Sequence, residues 1–327
     1  QFKNPPATPS SIGPQITNEF YQKKALIEIA KEQYFGQLAD VTSMPKNMGK
    51  KIKRYHYLPL LDDANINDQG IDAAGATIAN GNLYGSSKDI GTISGKLPVV
   101  SENGGRVNRV GFKRKEIEGT LEKFGFFDEY TQESLDFDTD ADLLQHINRE
   151  MLAGANEITE DALQIDLITA AGIVKYAGNA TSNATVDAND LVTYSDLMHL
   201  AIDLDNNRTP KHTTAITGTR MVDTRTIPAC RVAYIGSELL PTFKAMKDLH
   251  NNPAFIPVEK YAAGGATLNG EVGSVDNFRL VVVPEMMKWA GAGADASADS
   301  ANYETANKFD VFPILVIGNE SFTTIGF

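Results

Sequence analysis

The stretch "LDFDTDADLLQHINREML", residues 135–152, places Asp136, Asp138, Asp140 and Asp142 at every second position. Either these carboxylates ligate a metal or they open a helix, and the choice decides the fold. A calcium loop of the EF-hand kind needs Gly at its sixth position and Glu at its twelfth. Counted from Asp136, those positions hold Ala141 and Ile147. The similar "DLDNN", counted from Asp203, holds Arg208 and Thr214 there and fails too. Free N–H groups and the helix dipole favour acids at a helix start, so the run reads as a helix entrance. Downstream, Leu144, Ile147, Met151, Ala155, Ile158, Ala162, Ile165 and Ile168 step by three or four. The spacing predicts a helix from about 140 to 174, about 50 Å long at ~1.5 Å per residue, ended near Gly178. One apolar stripe of that length suits a spine against which a sheet packs.

Upstream the pattern changes. "VGFKRKEIEGTLEKFGFF" (110–127) reads as strand, with Ile117, Gly119 and Leu121 facing one way and Glu116, Glu118 and Glu122 the other. "KKIKRYHYLPL" (50–60) is aromatic and has no helical period. Between them lie about fifty residues rich in Gly, Asn, Asp and Ser, far beyond the ~4–6 of an ordinary connection. Residues 46–130 therefore read as a long two-stranded arm with an elaborate tip. A lone ribbon is marginal in water and leaves edge groups unpaired. It needs another surface, and a neighbouring copy of the chain is the natural one.

Further out, "EFYQKKALIEIAKEQYFGQLA" (19–39) has amphipathic helical spacing, with Asn18 able to cap it. "KNPPATPSSIGP" before it reads as an extended, poorly ordered arm. After the spine comes an α/β region. It holds helix 194–205, strands near 212–218 and 230–236, helix 237–249, a short helix at "VEKYAA", strand 278–286, a small-residue loop 290–302, and an apolar strand 309–318 expected to be central. The chain starts at Gln1 and ends in "SFTTIGF", so further residues are expected at both ends. No internal repeat is visible.

Composition narrows the function. The 327 residues suffice for two domains or one large one. Acids exceed bases by 42 to 30, a net charge of −12, which is unsuited to gripping nucleic acid through the overall field. Cys230 is the one cysteine, so no internal disulfide can form. No apolar run approaches the ~20 residues of a membrane span, and no signal peptide is visible. His56, His146, His199, His212 and His250 have no metal-ligand spacing. Ser237 sits in "YIGSELL", which lacks the G-x-S-x-G of a nucleophile elbow and reads as a helix N-cap. "SENGG" (101–105) lacks the Lys-Ser/Thr of a phosphate loop and reads as a turn. No catalytic, cofactor or metal site is expected.

Charge is laid out in blocks. Residues 46–54 hold five bases and no acid, and Arg106, Arg109, Lys113, Arg114 and Lys115 follow at the other strand. Residues 116–142 hold ten acids and one base, Lys123. The basic part suits a nucleic-acid groove, a solvated strand face or a subunit contact. On the last reading, Lys50, Lys51, Lys53, Arg54 and Arg114 meet Asp136, Asp138 and Asp140 of another copy.

This order of parts resembles the Hong Kong 97-type phage capsid fold, an α+β architecture. "FYQKKALIEIAKEQYFGQLADVTSMPKNMGKKIKRYHYLPLLDDANINDQGI" is similar to the start of the major capsid proteins of coliphage N-four-like short-tailed phages. "RVAYIGSELLPTFKAMKDLHNN" and "VEKYAAGGATLNGEVGSVDNFRLVVVPEM" resemble their axial domain. The resemblance implies an N-terminal arm and helix (1–45), an E-loop hairpin (46–130), a spine-helix peripheral domain (131–185) and an axial domain (186–320). Residues 321–327 would begin the return to the peripheral domain. It implies hexamers and pentamers in an icosahedral head around double-stranded DNA that the shell contacts weakly. Portal, scaffold and decoration proteins would be partners, the virion the location and the host cytoplasm the place of assembly. An encapsulin-like protein-cargo shell shares the fold, and a soluble α/β enzyme or ligand-binding protein is the alternative of another class. Neither a membrane nor a cofactor is implied.

Overall fold

In a computed structural model the described residues are 33–38, 40–43, 49–58, 114–127, 129, 143–216, 224–262, 267–296 and 303–326. The chain divides into two compact units, one of residues 42–123 and 325–327, the other of residues 1–41 and 124–324. In chain order, β1 is Asp40–Ser43, β2 Lys51–Tyr57, β3 Arg114–Thr120, α1 Leu143–Thr169, α2 Tyr194–Asn206, β4 Thr213–Ile216, β5 Thr224–Ile227 and β6 Arg231–Gly236. There follow α3 Leu240–Ala245, β7 Ile256–Pro257, β8 Glu271–Val275, β9 Phe278–Val283, β10 Glu304–Thr305, β11 Lys308–Phe309, β12 Ile314–Ile317 and β13 Thr323–Gly326. β1 pairs with β13, β2 with β3, β4 with β5 and β10 with β11.

The core of the larger unit is a five-stranded sheet in the order β12-β6-β9-β8-β7. β6 and β9 run parallel and the remaining neighbours antiparallel. All six residues of β6 are buried, as expected of a parallel strand covered on both faces. Val232 and Tyr234 enter one apolar cluster with Val281, Val283, Leu315 and Ile317. Ala233 and Ile235 enter the other with Phe278 and Leu280. The first face is covered by Phe35, Leu38, Ala215 and Ile227, with Leu163, Leu167 and Ile168 of α1 packed against it. The second is covered by Leu197, Ala201 and Leu204 of α2 and by Phe243 of α3. The spacing of those three α2 residues is one helical face. The helix starts where the expected signal lies: the Asp196 N–H donates to the Thr193 hydroxyl, and Asp196 Oδ2 accepts from the Thr193 N–H at 2.9 Å.

Four sequence expectations are corrected. Residues 309–318 are not one central strand. Lys308–Phe309 pairs with β10, Val311 bridges to Trp289, and only Ile314–Ile317 joins the main sheet, at its edge. Pro313 has no N–H for a ladder and separates the pieces. Helix 237–249 is a 3-10 turn at Ser237–Leu239 followed by the six residues of α3. Its continuation is lost to a turn in which Asp248 Oδ1 accepts from the His250 and Asn252 N–H groups, each at 2.8 Å. The predicted helix 19–39 lies outside the described residues up to 32. Its end is a 3-10 turn at Gly36–Leu38, not α-helix. There the Phe35 and Gly36 N–H groups donate to Glu160 Oε2 and Oε1 at 3.2 and 3.3 Å.

The fourth correction concerns the spine. α1 spans 27 residues, or about 40 Å at ~1.5 Å per residue, and stops at Thr169 rather than near 174. Its deeply buried residues are Glu160 and Gln164, while Met151, Leu152 and Ile165 are exposed. The larger unit thus buries the apolar stripe only in part: Ile168 packs against the apolar cluster, Met151 and Ile165 stay exposed, and the deepest face carries Glu160 and Gln164. The segment 34–38 lies against that face, held by more than Glu160. The Tyr234 hydroxyl donates to the Tyr34 carbonyl at 2.9 Å, the rings of Phe35 and Tyr234 lie 4.6 Å apart, and the Asn269 N–H donates to Gln37 Oε1 at 2.9 Å. Burial pushes the Tyr234 hydroxyl well above its ordinary range, so it stays a proton donor.

A buried carboxylate ties down the segment before the edge strand. Asp310 accepts from the Gly291 N–H at 2.8 Å and from Lys288 Nζ at 3.1 Å. Burial pushes its pKa up, but hydrogen bonds from Gly291, Thr305 and Lys288 outweigh burial and the net shift is down. A carboxyl whose folded pKa lies below its unfolded value, ~3.9, stabilises the fold above that pH and loses the contribution as pH falls through the folded value. Melting temperature is therefore expected to fall more between pH 4.5 and about 2.5 in the parent than in Asp310→Asn. Equal acid sensitivity in calorimetry would refute the assignment.

Candidate interaction surface

The ribbon β2–β3 is antiparallel and in register from Lys51 opposite Thr120 to Tyr57 opposite Arg114. Directly opposed residues share a face and alternate residues do not. One face therefore carries Lys51, Lys53, Tyr55 and Tyr57 with Arg114, Glu116, Glu118 and Thr120. The other carries Ile52, Arg54 and His56 with Lys115, Ile117 and Gly119. Lys53 Nζ lies 2.5 Å from Glu116 Oε1 and 2.6 Å from Glu118 Oε1. Its hydrogen bonds to the two carboxylates hold the ammonium above the usual lysine range. The pair is solvent-exposed and adds little stability; its effect is on which charges face outward. The Arg114 guanidinium lies 4.1 Å from the centre of the Tyr55 ring.

Of the residues expected at a subunit contact, Lys51, Lys53 and Arg114 share the first face, and Arg54 is on the second. Lys50 precedes β2, and its carbonyl accepts from the Leu121 N–H at 2.9 Å. Asp136, Asp138 and Asp140 lie outside the described residues, as does the ribbon tip.

The larger unit exposes apolar side chains of its own. Phe124, Phe126, Phe127, Met151 and Leu152 are all exposed, Phe127 at 82%. A Cβ on Gly154 of α1 would come within 2.9 Å of the Phe126 ring, so ring and helix are in contact. Exposed apolar side chains in such number make this part of the unit a candidate interaction surface. "KFGFF" was readable as strand only; its contact with the helix is set by chain more than twenty residues later, and no local signal reports it.

Several acids of the larger unit are held in structural hydrogen bonds. An open cavity of about 1180 Å³ lies between the turn after α1, α2 and β12. Of the acids lining it, Asp190 accepts from the Asn179 and Asp187 N–H groups, Asp196 caps α2, and Asp310 binds Gly291 and Lys288. Ser237 is no N-cap: it is the first residue of a 3-10 turn, and its hydroxyl lies 3.4 Å from Glu238 Oε2. Cys230 is buried. Among the described residues no group of three or more His, Cys, Asp or Glu is placed to hold a metal. No described helix is long and apolar enough to cross a membrane.

Known proteins are similar to this chain in sequence and in fold. A family model described as phage capsid protein matches residues 114–323. The major capsid protein of Pseudomonas phage KPP21 is 65% identical over 319 residues, covering 97% of this chain and 80% of that protein. The capsid of Ralstonia phage GP4 has the same fold at a TM-score of 0.56 and 12% identity, covering 95% of this chain and 82% of that one.

Proposed function

The chain belongs to the phage capsid protein family, and from that membership we propose that it is the major capsid protein of a phage, assembling as hexamers and pentamers into an icosahedral head around double-stranded DNA. It is a structural, non-enzymatic protein, and its place is the virion shell, assembled in the host cytoplasm. The carrying observation is the 65% identity to a major capsid protein over nearly the whole chain.

The finer reading is a Hong Kong 97-type subunit of the N-four-like group. Its parts are an N-terminal arm (1–45), an E-loop (46–130), a peripheral domain on the spine helix (131–185), an axial domain (186–320) and the start of the return (321–327). A slender ribbon with little interior of its own supports it, since such an element is stable only against another surface. Basic residues Lys50, Lys51, Lys53, Arg54 and Arg114 would approach Asp136, Asp138 and Asp140 of a neighbouring copy. Lys53 already holds two carboxylates of its own ribbon, so its contribution to that contact is the smallest. The net charge of −12 favours weak contact with the genome. Portal, scaffold and decoration proteins complete the expected partners.

Electron microscopy and light scattering of the purified full-length protein test this. Closed megadalton particles of icosahedral outline are expected, and heads recovered from infected cells should hold double-stranded DNA. A small soluble oligomer under every condition would overturn the shell reading, and particles filled with protein cargo would overturn the phage-head reading.

A further inference from the structure

We propose that the ribbon docks a second copy through one face only, the face carrying Ile52, Arg54, His56, Lys115 and Ile117. This rests on the reading of the chain as a shell subunit and goes beyond it by assigning the face and the chemistry it meets; of the strand cations grouped above it keeps Arg54 and takes Lys51, Lys53 and Arg114, which lie on the other face, out of the contact. The register divides the ribbon charges unequally. On the Lys53 face, two cations besides Lys53 stand beside Glu116 and Glu118, and those glutamates already close on Lys53. Arg114 on that face is stacked over Tyr55. An acidic partner approaching this side meets two carboxylates of its own sign.

Among the paired residues of the two strands, the opposite face carries Lys115, His56 and Arg54 and no carboxylate. It also carries Ile117, which is 53% exposed. Its base is fixed within its own unit: a Cβ on Gly119 would lie 3.4 Å from the Ile52 side chain and 3.8 Å from that of Ile325. One end of this face therefore packs on its own chain, and the outer end places Lys115 beside an exposed isoleucine.

That combination fits a surface both acidic and apolar. A shell subunit meets mainly copies of itself, and this chain has an excess of twelve acids over bases. Nucleic acid fits less well. A phosphate backbone gives an exposed isoleucine nothing to pack on, and base stacking uses aromatic rings. The tyrosines of the ribbon, Tyr55 and Tyr57, are on the other face. Charge complementarity of this kind sets register and partner choice and weakens with salt.

The test uses the full-length chain, with particle yield read by sedimentation. Lys115→Glu and Ile117→Asp are made on the proposed face and Lys51→Glu on the other. Circular dichroism and limited proteolysis confirm that the ribbon forms, and Lys115→Gln serves as a variant that leaves the strand pairing unchallenged. Lys115→Glu and Ile117→Asp are expected to lower particle yield about tenfold or more, because a like charge or a buried carboxylate at a contact costs several kcal/mol of association. Lys115→Gln should give a smaller loss, and Lys51→Glu a change under about twofold. Loss in Lys51→Glu with normal Lys115→Glu and Ile117→Asp overturns the face assignment while leaving ribbon docking intact. Normal assembly in all of them overturns ribbon docking itself. If Lys115→Glu reduces salt-sensitive retention of double-stranded DNA and leaves particle yield unchanged, the partner is nucleic acid and the proposal is wrong.

Discussion

Glu160→Ala is expected to destabilise the larger unit by about 2–5 kcal/mol and to free the segment 34–38. Both oxygens of this buried carboxylate are in use, one by the Phe35 N–H and one by the Gly36 N–H. Losing them leaves two N–H donors in a largely apolar setting, each costing ~1–3 kcal/mol when unsatisfied. The neighbouring contacts magnify the effect, because Phe35 and Leu38 fill the same apolar cluster as Tyr234 and Val281. Glu160→Gln should fall between, since an amide offers one acceptor oxygen and turns N–H groups toward the other donor. Gln164→Met, one helical turn on, is the contrast. Gln164 is equally buried, yet among the described residues its amide nitrogen has no partner, so an apolar chain of similar volume should be neutral or better. The readouts are calorimetric melting and protease cutting near Tyr34. A Glu160→Ala protein that melts with the parent and resists cutting would refute this account.

The same residue shows where sequence reading stops. Elements with local causes are legible. "RVAYIG" and "FRLVVV" are continuous apolar strands because both their faces are covered, and Thr193 announces α2 with its own side chain. The alternation of Ile117 and Gly119 against Glu116 and Glu118 gives the two faces of β3. What failed depends on distant chain. The α1 stripe at Met151, Ala155 and Ile158 is real as a pattern, but the unit buries Glu160 more deeply, because a segment more than a hundred residues earlier supplies it with N–H donors. A carboxylate that has such partners is no longer a solvent-facing residue. The strand at 309–318 has the composition of a central strand, and its place at the edge follows from pairings with β6 and β10 that composition does not encode.

The candidate surface was legible in kind and not in detail. The basic and acidic blocks are plain in the sequence, and so is a ribbon too thin to stand alone. Which charges face outward depends on register, and about fifty connecting residues set no register, whereas a two-residue turn would. A slip of one residue would turn Lys53 away from Glu116 and Glu118 and exchange the two faces. The expectation that groups Lys53 with Arg54 thus joins residues from opposite sides of the ribbon.

Arg231 gives the second large effect, with an order opposite to intuition. Its side chain is wholly buried, and only Nη2 is engaged, donating to Asp205 Oδ1 at 2.7 Å and to the Thr209 carbonyl at 2.6 Å. Among the described residues Nε and Nη1 have no partner. A buried cation so incompletely met carries a desolvation penalty that one ion pair does not repay, and apolar replacements of such residues are often neutral or stabilising by ~1–4 kcal/mol. Arg231→Met should therefore melt with the parent or above it. Asp205 is not stranded by that change, because it is partly solvated and Lys211 Nζ lies 2.8 Å away. The reverse substitution is the damaging one. Asp205→Ala leaves the guanidinium buried against a single carbonyl, and the uncompensated charge must be hydrated by opening the junction of α2 with β6. Hydrogen bonds from Lys211 and then Arg231 hold the Asp205 carboxyl below the usual range, so acid weakens this junction only as pH falls below ~4 and through that depressed value. Calorimetry at neutral pH should rank Arg231→Met at or above the parent, with Asp205→Ala clearly lowest. If Arg231→Met melts below Asp205→Ala, the guanidinium stabilises the fold through contacts other than these, and the desolvation argument fails.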